Sequence, residues 1–264
     1  MAEEKKLICI LNCEDHPHWE KYTVELLGNS FNYITYQVTK SNYPPLEETA
    51  RFDGFIINGS LSAAYETEKE CPGTWVPRFG QYVRDLVGVI QQRNETSLKK
   101  QRLVGICFGH QIIAHYLGGK CEKMEHRQYG LQPLILEPNF FKIPSVHIAF
   151  KNIYNLQTPI EPSDLPQLAP IETHGDCVSK LPPSANLIAK SENTQIEAFS
   201  IGESILTTQF HPEFTNDIVE NELIPHIKHV YPSFVPLPPE TSFKVSEDTS
   251  RFFISLVRSF LAGL

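Results

Sequence analysis

Val104-Gly105-Ile106-Cys107-Phe108-Gly109-His110-Gln111 is the stretch on which the fold turns. Leu103 to Cys107 is a short apolar run with strand character. Phe108 to Leu117 has helical character and stops at Gly118-Gly119, a pair suited to a helix C-cap. A strand that turns directly into a helix needs minimal side chains where the two backbones approach, and Gly105 and Gly109 stand two positions either side of Cys107. The pattern is Gly-x-Cys-x-Gly, a cysteine form of the nucleophile elbow. It predicts Cys107 at the carboxyl edge of a sheet, beside the free N–H groups and partial positive charge of a helix N-terminus. Both favour thiolate over thiol and can hold a developing oxyanion. The same residues also read as a buried cysteine flanked by packing glycines.

Outward from this turn, short apolar runs rich in β-branched and aromatic residues alternate with helical patterns, the signal for βαβ units and a parallel sheet. Leu7 to Leu11, Phe31 to Val38 and Phe52 to Ile57 read as strands, with a helix before Gly28. Trp75, Phe79, Tyr82, Val83, Leu86 and Ile90 recur at helical spacing, so Thr74 to Gln92 reads as an amphipathic helix on the sheet. The second half holds further strands at Leu131 to Leu136, Leu187 to Lys190, Ile196 to Ile201 and Ile205 to Phe210, which extend the sheet or form a ribbon. Residues 139–170, Pro-studded and weakly periodic, are expected to be an irregular surface excursion near a site or partner. A Pro-rich turn over Tyr231 to Pro239 precedes a final helix near residues 246–261.

With 264 residues, 41% hydrophobic and 20% charged, the chain is expected to form one domain, 1–264, with a sizeable core. Its six cysteines are sparse and irregularly spaced, which points to a reduced, cytoplasmic protein rather than a disulfide scaffold. Met1 to Lys6 followed by a short apolar run is no signal peptide, and no stretch is long enough to span a bilayer. The balance of 31 acidic against 23 basic residues lacks the basic footprint of a nucleic-acid binder, so a small-molecule or protein substrate is expected. Glu14-Asp15-His16-Pro17-His18 crowds potential metal ligands into one short loop without zinc spacing, and no metal site is expected there.

A second constellation, Gln209-Phe210-His211-Pro212-Glu213, ends a predicted strand. Residues two apart on extended backbone point to the same side, and Pro212 biases His211 toward that conformation. His211 and Glu213 are then side by side, and a carboxylate beside an imidazole sets its tautomer and raises its basicity. Taken alone, this is equally a surface ion pair. Joined to the cysteine elbow, it completes a Cys-His-acid set. His110 and His115 on the elbow helix read as packing or surface residues.

These motifs resemble the class I, triad-type glutamine amidotransferases and their free-standing γ-glutamyl peptidase relatives. The likeness runs in the family's order from Asp53-Gly54-Phe55-Ile56-Ile57-Asn58-Gly59-Ser60, through Gly105 to Gln111, to Gln209 to Glu213. Between them Thr173-His174-Gly175-Asp176-Cys177-Val178 resembles the family's Ser-His-x-Asp-x-Val segment. The Gly-Ile-Cys-Phe-Gly-His-Gln wording and the Ile-Glu-x-Phe-Ser-Ile-Gly run from Ile196 to Gly202 are those of the γ-glutamyl peptidases. Two positions depart from the family: Gln128 stands where an acidic residue is common, and Asn58 where a small residue often precedes the glycine.

The resemblance implies an open, mostly parallel twisted sheet with helices on both faces, the flavodoxin-like fold of these amidotransferases, plus a small antiparallel ribbon. It makes Cys107 the nucleophile, His211 the general base and then acid, and Glu213 its orienter. The N–H groups of Gly59 and Phe108 would form the oxyanion hole. Gln111, His174 and Asp176 fall where the family contacts the glutamyl group, although Gln111 also reads as a helix-surface amide and Asp176 as a turn residue. The implied chemistry is acyl transfer through a γ-glutamyl thioester, with no metal or organic cofactor. Gly-x-Gly-x-x-Gly and P-loop motifs are lacking, and no synthetase domain follows. A free-standing hydrolase of glutathione, its conjugates or related γ-glutamyl compounds is therefore expected. The alternatives are a glutaminase supplying ammonia to a separate synthetase, and a non-catalytic binding or regulatory protein on the same fold.

Overall fold

The structure, a computed structural model, describes residues 5–15, 17–156, 160, 165–230 and 242–264. Strands β1 (Leu7–Asn12), β2 (Asn32–Gln37), β3 (Gly54–Ile57) and β4 (Arg102–Ile106) alternate with helices α1 (Pro17–Leu27), α2 (Val76–Thr96) and α3 (Phe108–Tyr116). The chain continues through β5 (Lys120–Leu131), β6 (Ile135–Leu136), α4 (Pro144–Tyr154), β7 (Ile171–Lys180), β8 (Asn186–Lys190), β9 (Ala198–Ile201) and β10 (Ile205–Thr208). It closes with α5 (Asn216–Ile218), a π-helical turn Val219–Leu223, α6 (Ile224–Val230) and α7 (Glu247–Ala262). Eight strands form one sheet in the order β2-β1-β3-β4-β10-β9-β8-β6, and β5 and β7 form a separate antiparallel ribbon. The first five strands in that order run parallel, and β9, β8 and β6 extend the sheet antiparallel.

Alternation along the strands divides the core between two faces. Ile8, Ile10, Ile56, Val104, Ile106 and Leu206 pack on one side with α1, α4 and α7. Cys9, Leu11, Phe55, Ile57, Leu103 and Ile205 pack on the other with α2 and α3. Strands apolar on both sides are what a parallel sheet sandwiched between helices requires. The last helix is fixed at both ends: the Ser246 side chain accepts from Thr249 N, and Gly263 (φ 76°) takes the left-handed cap.

Two expectations are corrected. Leu131 to Leu136 is not one strand, because Pro133 has no N–H for a ladder; Leu131 ends the ribbon strand β5, and Ile135–Leu136 is a separate edge strand. Of the two outcomes open to the later strands, Leu187 to Lys190, Ile196 to Ile201 and Ile205 to Phe210 extend the main sheet, and the small antiparallel ribbon is formed by β5 with β7, which carries the Thr173–Val178 segment. Residues 139–170 are not an irregular surface excursion throughout. Pro144 sits in the first turn of α4, where proline fits, and Val146, Ala149 and Phe150 are fully buried at helical spacing. Residues 157–159, 161–164 and the Pro-rich turn at 231–239 lie outside the described residues.

Phe150 lies 4.5 Å, centroid to centroid, from Phe252 of α7, so α4 is part of the core. Phe150→Ala is expected to lower unfolding free energy in urea by about 3–5 kcal/mol. A loss below about 1 kcal/mol would mean that α4 packs without holding the domain together.

Candidate active site

Cys107 occupies the turn between β4 and α3 with φ 52° and ψ −103°, a backbone conformation that side-chain-bearing residues rarely adopt. The glycines around it are there for space. A Cβ on Gly109 would lie 2.1 Å from the carbonyl oxygen of Ile57, and one on Gly105 would lie 2.8 Å from the backbone of Gly109. The turn is therefore pressed between β3 and α3. Cys107 N donates to Thr208 O at 2.8 Å, while its carbonyl accepts from Gln111 N at 3.0 Å. Phe108 is the first residue of α3, and its N–H is one of those a helix leaves without an intrahelical acceptor.

Parallel pairing of β4 with β10 sets Ile106 opposite Thr208 and so brings the residues after each strand to the same edge. His211 N donates to Ile171 O at 3.1 Å, which ties this segment to β7. His211 Nδ1 and Glu213 Oε1 are 2.7 Å apart, both residues buried. Gly59 faces His211 and Cys107 together: a Cβ there would be 3.2 Å from His211 Cε1 and 3.7 Å from Cys107 Cβ. Phe214 stacks on the imidazole at 4.2 Å with an interplanar angle of 5°, and Trp19 lies 5.8 Å away. Burial opposes the imidazolium, but Glu213 and then Cys107 outweigh it and raise the His211 pKa to about 10. The other ring nitrogen, Nε2, is buried, and the Cys107 side chain acts on the ring both through charge and as a hydrogen-bonding neighbour.

Cys107 borders a cleft whose lining includes Ser60, Gln111, Arg127, His174 and Asp176. Gln111 is buried rather than on the helix surface; its Nε2 donates to Asp176 O at 2.9 Å and to Gln209 Oε1 at 3.1 Å. His174 Nδ1 also contacts Asp176 O, at 2.9 Å. The Asp176 side chain accepts from Tyr65 Oη at 3.0 Å; burial pushes its carboxyl up, and Tyr65 and Arg127 offset part of that rise.

Asn58 accepts from Cys13 N and donates to Asn12 Oδ1, holding the loop after β3 against the end of β1. Gln128 pairs with His174 in the ribbon, next to a register shift that leaves Arg127 against Gly175. His110 is a packing residue bonded to Thr207 Oγ1 at 2.8 Å, its pKa lowered to about 3 by burial. His16 lies outside the described residues, and among those described no three His, Cys, Asp or Glu are placed to hold a metal ion.

Sequence reasoning missed several residues around the site. Gln209 donates from Nε2 to Cys107 Sγ at 3.7 Å. Its signal was at hand, since it opens the motif that contains His211. Trp19, Tyr65 and Phe214 carried no local signal, because each meets the site only through the fold.

A thiol at a helix N-terminus, near an imidazole held by a carboxylate, is a set suited to acyl transfer. The family model for glutamine amidotransferase class-I matches residues 24–227. The chain belongs to the class I glutamine amidotransferase family. Among its relatives, gamma-glutamyl peptidase 2 of Arabidopsis thaliana is 27% identical over 261 residues, spanning 92% of each chain. Gamma-glutamyl peptidase 4 of the same plant is 25% identical, covering 99% of this chain and 97% of the relative. A crystal structure of a glutamine amidotransferase from Methylobacillus flagellatus superimposes with a TM-score of 0.67 at 19% identity, over 98% of this chain and 95% of that one, a likeness of fold. Among the described residues of this family member, no helix is long and apolar enough to cross a membrane.

Because Glu213 supports the His211 imidazolium, Glu213→Gln is expected to move the ring's titration from about 10 to lower pH. Ring-proton NMR across pH checks this; an unchanged midpoint would show that Glu213 does not set the charge of His211.

Proposed function

We propose that this protein is a thiol hydrolase of γ-glutamyl amide or isopeptide bonds, acting on glutathione, its conjugates or related γ-glutamyl compounds. The observation that carries this reading is the meeting of Cys107 with the Glu213-held His211 around Gly59. The near full-length similarity to γ-glutamyl peptidases supports the choice of bond.

In this mechanism the Cys107 thiolate attacks the γ-carbonyl carbon, forming the C–S bond and an oxyanion directed at the N–H groups of Gly59 and Phe108. Collapse of the tetrahedral species breaks the C–N bond, and protonated His211 gives its proton to the departing amine. His211, now neutral, takes a proton from water as it attacks the thioester. Glutamate leaves, and the thiolate–imidazolium pair is restored. Glu213 keeps the imidazole in one tautomer throughout. Asp176, His174 and Arg127 border the space where the glutamyl head group would lie, the carboxyl of Asp176 suited to an ammonium and the guanidinium of Arg127 to a carboxylate. The chemistry is that of a reduced thiol, in keeping with a cytoplasmic setting and free cysteines.

Incubation with glutathione, γ-glutamyl dipeptides and glutamine tests the proposal. Glutamate and cysteinyl-glycine should appear, and Cys107→Ala should lower kcat/KM by at least about 10³-fold. Product release that survives Cys107→Ala, or its absence from the wild type, would overturn the proposal. Turnover of glutamine alone, stimulated by a second protein, would instead identify an ammonia-supplying glutaminase.

A further inference from the structure

Behind the cleft lies a group of ionisable side chains that the mechanism does not use. Glu172 and Glu197 are both 0% exposed and His174 is 3% exposed. Each carboxyl acts on the protonation of the other, and Glu172 Oε1 and Oε2, Glu197 Oε2 and His174 Nε2 are all buried without a hydrogen-bond partner of ordinary geometry among the described residues. His174 Nε2 is 3.0 Å from Glu172 Oε2, and Ser191 Oγ donates to Glu197 Oε1 at 2.6 Å.

The protons in this group can be counted. Asp176 O is a carbonyl and only accepts, so His174 carries its hydrogen on Nδ1. In the neutral ring Nε2 is then an acceptor, and it faces a carboxyl oxygen, another acceptor. Glu172 and Glu197 likewise present acceptor to acceptor unless a proton lies between them, and two ionised carboxylates do not share a dry site. One proton is needed at each contact. Two bridging protons, two carboxylates and a neutral imidazole sum to zero charge. The surroundings agree with this count. Burial pushes Glu172 up to about 8 and, with Glu172 beside it, pushes Glu197 well above the ordinary carboxylate range, while burial pushes His174 down. Among the described residues, His211, Asp176, Cys177 and His110 are ionisable groups that interact with this set from the neighbouring segments.

The array leads to the sulfur. Asp176 O accepts from both His174 Nδ1 and Gln111 Nε2, which fixes the Gln111 amide with its nitrogen toward the carbonyl. Gln111 Nε2 also donates to Gln209 Oε1, leaving Gln209 Nε2 directed at Cys107 Sγ. A flip of either amide would set oxygen against oxygen or oxygen against sulfur.

We propose that Glu172, Glu197 and His174 form a proton-sharing array, neutral overall, that holds the Gln111–Gln209 amide pair so that Gln209 donates its N–H to the Cys107 sulfur. These are positioning residues. The inference rests on Cys107 being the reacting thiol, and it is tested without any γ-glutamyl substrate, so failure of turnover and failure of the array are read separately.

The readout is the rate of iodoacetamide alkylation of the Cys107 peptide at neutral pH, followed by mass spectrometry in the full-length protein. Glu197→Ala is expected to slow alkylation about tenfold by breaking the array, and Gln209→Leu to slow it by about the same factor. The isosteric Glu197→Gln, which still donates to Glu172 and accepts from Ser191, is expected to restore the rate to within about threefold of wild type. Equal rates in wild type, Glu197→Ala and Gln209→Leu would overturn the proposal. So would Glu197→Gln as slow as Glu197→Ala, because that would mean a required negative charge. If Glu197→Ala does not fold, by circular dichroism, Glu197→Gln and Gln209→Leu decide in the same way. A wild-type Cys107 inert to iodoacetamide would overturn the reacting-thiol assignment and the array with it.

Discussion

Parallel pairing of β4 with β10 is the constraint on which the site depends. Cys107 and His211 are far apart in sequence, and only the register that places Ile106 beside Thr208 delivers both to one carboxyl edge. The bond from Cys107 N to Thr208 O continues that pairing one residue beyond the strand, into the strained turn itself. The strain is sustained from outside. Gly105 and Gly109 let β3, β4 and α3 approach so closely that the turn has little room to relax. A βα turn at the edge of a doubly wound sheet thus fixes a side chain at a position set by backbone packing rather than by rotamer choice.

Electrostatics follow from that placement. Glu213 and then Cys107 raise the proton affinity of the His211 imidazole against the burial that opposes its charge, in a site that burial makes poor in water. Phe214 and Trp19 pack against the imidazole, limiting its motion without adding a charge that would compete for its proton. Nearby, a glutamate pair that would repel if both were ionised is accommodated by sharing protons with His174. Charge is concentrated where the chemistry needs it and cancelled beside it.

The elbow, the His-Pro-Glu segment and the parallel half of the sheet were legible because each depends on neighbours within a few residues: glycine spacing, extended alternation, apolar runs. Helix α4 was not, since Pro144 and the lack of a side-chain cap at Ile143 disguised a short helix whose stability comes from packing on α7. The ribbon was expected from the resemblance, but the strands that form it were hidden for a similar reason. Polar residues dominate β5, which pairs with a strand some fifty positions away and tolerates a register shift near Arg127. Gln111 borders the cleft, and its nitrogen also bonds Asp176 and Gln209, a role visible only once three distant segments are brought together. Glu172 gave no signal, and Glu197 figured only as one letter of the Ile196 to Gly202 run, because a buried acid is indistinguishable in sequence from a surface one.

The central claim is that the Cys107 sulfur carries the γ-glutamyl group between bond cleavage and hydrolysis. It is tested most directly by rapidly acid-quenching the protein during turnover of a γ-glutamyl amide and mapping the adduct by peptide mass spectrometry. The account predicts a mass increase of one glutamyl residue on the peptide bearing Cys107, released by mild base as a thioester is. Turnover that proceeds with Cys107 unmodified, or a glutamyl group found on another residue, would contradict it.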